Sequence, residues 1–290
     1  MIAVLGATGR IGQATAQALR AQEVPVRAVV RSRERVGQLE ALGCKVAVAD
    51  LRECEQVAAA IDGVDAVHVM FPTAPQAPDA LSEMTAAIDA VAGALRATAP
   101  PAILAISDYG AELETGTGVT LTFHHLETRL RELPSALTLL RSAEHMQNWA
   151  RQIPAALQTG TLGSLHHPLT KRFPTVSAPD VGVAAATLLL DPPAAGQPRI
   201  VQVEGPQRYT ALDVAAVLSD VAGRTVVARE LARGEWKAAL RRGGLSDSYA
   251  TLIVELFDAH NAGRIDVAPG SEVRHGTTEL RDVIASLLPR

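Results

Sequence analysis

Short apolar runs alternate with helical patterns over the first 107 residues of this chain, and this alternation constrains its fold more than any other feature. Each run is rich in Val, Ile, Leu or Ala, and segments with helical periodicity separate the runs. The runs are IAVL (2–5), VRAVV (26–30), KVAVA (45–49), DAVHVM (65–70) and AILAIS (102–107). Strands that are apolar throughout belong to a parallel sheet that helices cover on both faces. Because crossovers between parallel strands are right-handed, the pattern predicts a doubly wound, Rossmann-type α/β sheet.

The alternation loosens after about residue 150, which predicts a second domain. The other elements predicted before that point are helices at 11–21, 34–42, 53–61 and 80–97 and a strand at 137–141. Those predicted after it are helices at 177–190 and 210–223, a strand at 199–205, and a mostly helical end from about 225. We therefore predict a dinucleotide-binding domain over 1–150. A smaller, mostly helical substrate-side domain over 151–290 is predicted to be partly interleaved with it.

The composition excludes several classes of function. Aromatic residues make up only 3% of the chain and the formal net charge is −4, so neither the basic face nor the stacking rings of a nucleic-acid binder are present. Cys44 and Cys54 lack a Cys-x-x-Cys spacing and are expected to be reduced thiols. No run has the length of a membrane span, and Met1 leads directly into the first strand. We expect a soluble, cytoplasmic protein with no nucleic-acid or membrane partner.

The turn GATGRIG lies directly between the first strand and the first helix. Glycine permits positive φ and lets backbone N–H groups approach a pyrophosphate, and the N-terminus of the helix attracts the same anion. In this strand–turn–helix context the motif predicts a dinucleotide site. The alternative is a tight turn in which small residues serve packing alone. The predicted cofactor-binding residues of the turn are Gly6, Thr8, Gly9, Arg10, Ile11 and Gly12.

The end of the second strand indicates which dinucleotide is bound. An NAD enzyme usually has Asp or Glu there, about 20 residues beyond the glycines, to hold the ribose hydroxyls. This strand ends in VVRSRER, with Arg31 in that place and no carboxylate before Glu34. Arg31 is therefore predicted to bind a 2′-phosphate, which favours NADP(H), and Arg10 is a second candidate for the same phosphate. Arg33 and Arg35 are expected to be a solvated start of the next helix.

Two further loops are predicted to approach the cofactor. Asp50 follows the third strand, and its carboxylate either contacts the adenine edge or caps the next helix. Met70, Phe71 and Pro72 leave the fourth strand where the chain should pass the ribose and the nicotinamide. The alternative for these three residues is ordinary loop packing.

The chain resembles a known group in four places. GATGRIG, the arginine after the second strand, ADL after the third strand and LRSAEHMQNW (140–149) together are similar to the NmrA-like branch of the atypical short-chain dehydrogenases. The resemblance extends through DVGVAAATLLLDP (180–192) and EGPQRYTALDVAAVLSDVAGR (204–224). It implies NADP(H) binding, as in the redox sensors, quinone reductases and dye reductases of that branch. It also implies that HHLETRLRE (124–132) occupies the place of the Tyr-x-x-x-Lys of ordinary relatives.

The acid that ketone reduction needs is missing from the sequence. Hydride addition to a simple ketone creates an alkoxide, and a Tyr–Lys pair usually donates the proton. The tyrosines are Tyr109, Tyr209 and Tyr249, and the residues four positions on are Leu113, Asp213 and Ile253. None of these three is lysine, because the only lysines are Lys45, Lys171 and Lys237. Sugar epimerase and ordinary carbonyl reductase activities are therefore not expected.

A quinone places a smaller demand on the protein, because hydride addition leaves a delocalised, weakly basic anion that orientation alone can favour. The candidate catalytic residues are Ser107, Tyr109 and His125, and the candidates for the substrate pocket are His124, His145 and Asn148. Alternatively, Ser107 and Tyr109 only shape a turn, and the two adjacent histidines lie on a solvated face of a helix.

Several other polar residues are expected to be structural. Arg141, Glu144 and His145 are expected to brace the junction between a strand and a helix, and His166 and His167 are expected at the surface of a turn. No group of His, Cys, Asp and Glu has the spacing of metal ligands, so no metal is predicted.

The leading hypothesis is an NADPH-dependent oxidoreductase that transfers hydride to a quinone or a similar conjugated acceptor. The rival is a non-catalytic NADP(H)-sensing regulator that binds a protein partner. A third hypothesis is a reductase with an unusual acid such as His125. The enzyme is favoured because the second domain is large enough to cover a substrate pocket. Whether the protein forms a homodimer is left open.

Overall fold

One parallel sheet organises the chain. The computed structural model describes residues 1–288. Its strands are β1 (Ile2–Leu5), β2 (Val26–Val30), β3 (Lys45–Val48), β4 (Ala66–Val69), β5 (Ala102–Asp108), β6 (Ala136–Ser142), β7 (Glu144–His145), β8 (Thr161–Ser164), β9 (Thr175–Val176), β10 (Arg199–Glu204), β11 (Val227–Glu230) and β12 (Glu272–His275). Its α-helices are α1 (Arg10–Ala21), α2 (Gly37–Ala41), α3 (Cys54–Ile61), α4 (Ala80–Thr98), α5 (Thr120–Arg131), α6 (Ile153–Thr159), α7 (Ala178–Leu189), α8 (Ala211–Ala222), α9 (Trp236–Arg242), α10 (Asp247–Asn261) and α11 (Leu280–Leu287). Three short 3-10 helices lie at Arg33–Arg35, Met146–Arg151 and Arg233–Glu235.

The strand order confirms the predicted fold class. The eight-stranded sheet runs β12-β10-β6-β5-β4-β1-β2-β3, and all of its pairings are parallel. The order reverses between β1 and β4, as in a doubly wound sheet. The central strands β1, β4 and β6 are buried along their whole length because helices cover both faces of the sheet.

Alternate residues of each strand supply two separate cores. Val4 packs in the core that includes α1 and α7, whereas Leu5 packs in the core that includes α3, α4 and α5. A third cluster, around Trp149 and Phe173, joins α6, α8 and α11 and forms the centre of the second lobe. None of the helices in residues 1–288 combines the length and the apolar character needed to span a membrane.

The two predicted domains share the main sheet. β10 and β12 come from the second half of the chain and extend the sheet beyond β6, and the division into two partly interleaved domains stays a prediction. A boundary near residue 150 stays a prediction. Residues 289 and 290, the end of the predicted second domain, lie outside the described residues.

Two predicted elements differ in the structure. The predicted helix 34–42 is a 3-10 turn followed by the five-residue α2, because buried Val36 separates them and Gly37 is a poor helix former. The mostly helical end from about 225 also contains two strands, β11 and β12. The sequence of β12, EVRH, does not predict a strand, because an edge strand that is partly exposed needs few apolar residues.

Helix α7 fixes the helix that follows the glycine turn. A Cβ atom at Gly182 would lie 2.5 Å from the carbonyl oxygen of Ile11 and 2.7 Å from Cβ of Ala14. The Thr15 hydroxyl donates to the carbonyl oxygens of Ile11, at 3.0 Å, and Gly182, at 3.1 Å. The two helices therefore touch backbone to backbone, and the start of α1 cannot move without α7.

Replacing Gly182 by alanine should destabilise the protein by about 1–3 kcal/mol, because backbone and a buried side chain must shift to admit the methyl group. Urea unfolding measures this change. The matched control is Gly37→Ala in α2, where a Cβ atom meets nothing within 4 Å. That control should be neutral or slightly stabilising, since alanine favours a helix. A Gly182→Ala protein as stable as the parent would contradict the close packing.

Buried His68 should make the fold sensitive to acid. Neither ring nitrogen of His68 has a hydrogen-bond partner within residues 1–288, and burial lowers the pKa of this side chain to about 4. The unfolded chain, with an ordinary histidine pKa near 6.5, binds the proton more readily. The stability that depends on neutral His68 is therefore present above about pH 6.5 and is lost as the pH falls toward 4.

His68→Leu should remove this part of the pH dependence. Between pH 7 and pH 5 the parent should lose about 2 kcal/mol more unfolding free energy than the variant does. Denaturant unfolding at both pH values gives the comparison. The buried histidines His145 and His260, whose pKa values burial also lowers to about 4, should account for acid sensitivity that remains. An unchanged pH dependence in the variant would rule out this role.

Candidate functional site

The candidate site lies at the carboxyl ends of β1, β4, β5 and β6. These strands are neighbours in the sheet, and the strand order reverses between β1 and β4. Ligands of doubly wound sheets bind outside the carboxyl ends of the strands at such a switch point. The glycine turn follows β1, the Met70–Pro72 segment follows β4, and Ser107 lies near the end of β5. The fold therefore brings the predicted segments to one edge.

The glycine turn has the shape of an anion cradle. Gly6 has a φ of +66°, and the Gly9 N–H donates to the Gly6 carbonyl oxygen at 2.9 Å. A Cβ atom at Gly12 would lie 2.6 Å from that same oxygen, so only glycine fits there. Gly9 is the N-cap of α1 and provides no side-chain cap, and the first turn of α1 carries no acidic residue. The positive end of the helix is thus open to a phosphate group.

The other residues of the turn differ in their exposure. Thr8 and Arg10 are exposed beside the turn, whereas the Ile11 side chain is buried in the core, with 2% of its surface exposed. Only the backbone of Ile11 therefore remains a candidate for contact with a ligand.

Basic side chains surround the end of β2. Arg31 is exposed, and within residues 1–288 it forms no ion pair. Arg33 differs, because its guanidinium lies 3.4 Å from the Glu40 carboxylate, at the exposed surface where a solvated helix start was expected. Arg10, Arg31 and Arg35, which is exposed as expected, form no ion pair within residues 1–288.

Asp50 makes a local turn with Arg52. Its carboxylate accepts hydrogen bonds from the Arg52 backbone N–H, at 3.0 Å, and from the Arg52 guanidinium, at 2.6 Å. The hydrogen bond from Arg52 holds the pKa of Asp50 below its usual range. The N-cap of α3 is Glu53, so the expectation that Asp50 caps this helix is wrong. Contact of Asp50 with an adenine stays a prediction.

The segment after β4 is apolar where it approaches α5. Phe71 is buried, and its ring centroid lies 5.0 Å from that of Phe123. Met70 is half-buried against the core, and Pro72 is exposed. The Phe71 side chain therefore serves ordinary loop packing rather than contact with the cofactor. Met70 and Pro72 stay candidates for the pocket wall.

A buried charge network lies beneath the end of β5. The Ser107 hydroxyl donates to a carboxylate oxygen of Glu127 on α5 at 2.7 Å. Arg141 on β6 donates two hydrogen bonds to Glu127, at 2.8 and 2.7 Å, and one to Glu112 at 2.5 Å. Burial acts to raise the pKa of Glu127, but hydrogen bonds and the charge of Arg141 hold it below the usual value. Arg141 thus braces β6 against α5 as expected, and the network engages Ser107.

The histidines of α5 point to different places. The Nδ1 atom of His124 lies 2.9 Å from the carbonyl oxygen of Ala111, which keeps this ring near the loop after β5. The Nε2 atom of His125 lies 3.0 Å from the Asp89 carboxylate, half-way along α4, and 33% of the His125 side chain is exposed. Because α4 leads away from the carboxyl ends of the strands, this contact favours the helix-surface alternative for His125, and its catalytic role stays an untested prediction.

The Tyr109 side chain is buried. Only 1% of its surface is exposed, and its hydroxyl has no hydrogen-bond partner within the described part of the chain. Burial raises the pKa of this hydroxyl further, so it is a weak acid. This burial favours the structural alternative for Tyr109, and its role in steadying an anion stays an untested prediction.

The segment after β6 carries two histidine contacts. His145 lies 3.2 Å from the Ser142 hydroxyl, and burial lowers the pKa of His145 to about 4. Its ring is therefore neutral at neutral pH. Asn148 is exposed, so both residues stay candidates for the substrate pocket. Glu144 instead accepts a hydrogen bond from His166 at 2.9 Å.

The surface position expected for His166 is wrong. This residue is 1% exposed, and its ring stacks on Phe173 with the centroids 3.7 Å apart. Phe257 of α10 meets the same ring edge-on at 4.8 Å. Two histidines before a proline have the composition of an exposed turn. Aromatic side chains from distant parts of the chain bury His166.

One carboxyl group at the site was missed in the sequence. Asp108 is the last residue of β5, and the Thr120 hydroxyl donates to it at 2.6 Å. Burial raises the pKa of Asp108 to about 7, and the nearby charges of Glu144 and Glu112 act in the same direction. The signal was an acidic residue directly at the end of an apolar strand, in AISDYG. An acidic residue at this position is equally typical of a turn.

Comparison with known proteins extends over nearly the whole chain. NAD(P)H azoreductase from Xenophilus azovorans is 29% identical over 276 residues, which cover 93% of this chain and 92% of that protein. Quinone oxidoreductase 2 from Escherichia coli strain K12 is 25% identical over 304 aligned residues, which cover 99% of this chain and 98% of the relative.

Solved structures have the same fold. An NADPH-dependent quinone oxidoreductase from Escherichia coli, complexed with NADPH, superposes with a TM-score of 0.78 at 23% identity, covering 99% of both chains. The triphenylmethane reductase of Citrobacter sp., complexed with NADP(H), gives a TM-score of 0.75 at 23% identity, covering 100% of this chain and 97% of the other. The sequence profile of the NmrA-like family matches residues 1–280. This chain therefore belongs to the NmrA-like family, as its motifs predict.

Proposed function

We propose that this protein is an NADPH-dependent oxidoreductase that transfers hydride to a quinone or a similar conjugated acceptor. The observation that carries the proposal is an uncapped helix N-terminus at the glycine turn, with Arg31, which forms no ion pair within residues 1–288, at the end of the neighbouring strand β2. The relatives named as azoreductase and quinone oxidoreductase support the same reaction class.

The residues of the turn fit a dinucleotide. The missing Cβ at Gly12 lets the backbone fold tightly over Gly6, and the free N–H groups at the start of α1 then face a diphosphate. Arg31 and Arg10 would hold the 2′-phosphate with charge-assisted hydrogen bonds. Bound NADPH supplies a hydride, and the protein's task is to hold the acceptor against the nicotinamide.

The absence of a Tyr–Lys pair favours a conjugated acceptor. In the segment 124–132, which the resemblance puts at the place of that pair, Nδ1 of His124 lies 2.9 Å from a backbone carbonyl oxygen and Thr128 donates to the carbonyl oxygen of His124. Neither arrangement provides the strong proton donor that an alkoxide needs. A conjugated ring spreads the incoming charge, so positioning it beside an apolar wall that includes Met70 lowers the barrier.

Purified protein should oxidise NADPH when a quinone or an azo dye is present, and the absorbance of NADPH measures the rate. Gly12→Ala should bind NADPH at least tenfold more weakly, because its methyl group would displace the turn. Gly37→Ala serves as the matched control with unchanged turnover. Saturable NADPH binding without turnover on any conjugated acceptor would instead favour the sensor that responds to NADP(H) and binds a protein partner.

Arg31→Asp should weaken NADPH binding by roughly tenfold or more and leave NADH binding nearly unchanged, because only NADPH carries the 2′-phosphate. Titration calorimetry with both nucleotides measures the difference. Arg33→Asp is the matched control, since Arg33 already pairs with Glu40 and should have little influence on selectivity. Equal weakening of both nucleotides would remove the assignment of the phosphate site to Arg31.

A further inference from the structure

Asp108 presents a half-buried carboxyl group at the centre of the strand ends. It closes β5, which lies between β4 and β6 in the sheet. The loop after β4 begins beside this strand end, because β4 pairs with β5 and Val69 lies opposite Ala105. The group therefore lies beside the expected path of the nicotinamide and its acceptor.

Two acids and one cation, Arg141, lie near Asp108. Glu112 of the loop after β5 and Glu144 of β7 both act on it with like charge. Arg141 of β6 is near, but its guanidinium nitrogens bond Glu127 and Glu112. Within residues 1–288, Asp108 forms no ion pair of its own. The one hydroxyl bonded to it belongs to Thr120 at the start of α5.

We propose that Asp108 is the proton donor of the reaction and delivers its proton to the acceptor atom that becomes anionic as hydride arrives. This inference rests on the proposed function above. It gives the site the acid that the missing Tyr–Lys pair would otherwise provide. A raised pKa of about 7 means that a large share of Asp108 is protonated at neutral pH, which agrees with the geometry.

The step balances for both kinds of acceptor. An azo compound takes a hydride, with its two electrons, from NADPH at one nitrogen, while the O–H bond of Asp108 breaks and its proton goes to the other nitrogen. The products are a hydrazine and NADP⁺. Asp108 is left as a carboxylate and regains a proton from water, which reaches it because the side chain is only partly buried. A quinone takes a hydride and a proton in the same way and becomes a hydroquinone.

The two acceptors depend on the acid to different degrees. A quinone leaves a phenolate-type anion that is weakly basic. A reduced azo bond leaves a nitrogen anion that is far more basic and needs its proton in the transition state. Loss of the acid should therefore slow azo reduction much more than quinone reduction. A merely structural role of Asp108 would slow both reactions alike.

The experiment compares single-turnover oxidation of bound NADPH by an azo dye and by a quinone in the parent, Asp108→Asn and Asp108→Glu. Asp108→Asn should slow azo reduction by roughly a hundredfold or more, and quinone reduction by much less. NADPH affinity should not change, and Asp108→Glu should restore part of the azo rate. The parent rate should fall as the pH rises above about 7, and this decline should vanish in Asp108→Asn.

Two neighbouring variants should move the decline in opposite directions. Thr120→Val removes a donor that favours the ionised carboxyl, so the decline should shift to higher pH. Glu112→Gln removes a like charge, so the decline should shift to lower pH. These shifts test the proposal even if Asp108→Asn does not fold.

The outcomes separate the two proposals. Turnover in the parent with equal slowing of both acceptors in Asp108→Asn would overturn the role of Asp108 and leave the proposed function standing. A pH profile that neither Thr120→Val nor Glu112→Gln moves would do the same. No turnover in the parent with any acceptor would overturn the proposed function and this inference with it.

Discussion

The rest of the candidate site depends on a close approach of backbone to backbone at the start of α1. Gly12 packs on the carbonyl of Gly6, and Gly182 of α7 packs on the carbonyl of Ile11. A side chain at either glycine would push α1 out of line, and the N–H groups at its start would no longer point to one place. The anion cradle is therefore held from two sides, by its own turn and by a helix from the second half of the chain.

A buried network of Glu127 and Arg141 joins α5 to β6. A buried ion pair contributes little net stability, but removing one partner leaves an unpaired charge at a high cost. Here several hydrogen bonds satisfy both groups, and a second carboxylate, Glu112, contacts the same guanidinium. The network holds the guanidinium of Arg141 against Glu127 and Glu112, so Arg141 acts on Asp108 by its charge alone and forms no ion pair with it within residues 1–288. One set of contacts thus influences the acidity of a neighbouring group.

Much of the fold was predictable, because a strand that is buried on both faces has apolar residues along its whole length. VRAVV and AILAIS are apolar throughout for that reason, and the glycine turn between a strand and a helix has few alternatives. The edge strand β12 was not predictable, because a partly exposed strand needs little apolar character. The contacts of individual side chains were also not predictable from the sequence. His166 is buried by Phe173 and Phe257, and Ser107 is engaged by Glu127, through contacts between distant segments that no local periodicity encodes.

The return of β10 and β12 to the main sheet has a consequence for biosynthesis. The edge of β6 stays uncovered until Arg199–Glu204 has been made, and β12 adds its hydrogen bonds only after residue 275. Asp180 of α7 also bonds the backbone N–H of Thr278, which ties the end of the chain to the helix that holds α1. The nascent first half of the chain therefore keeps an open sheet edge until β10 and then β12 have been synthesised.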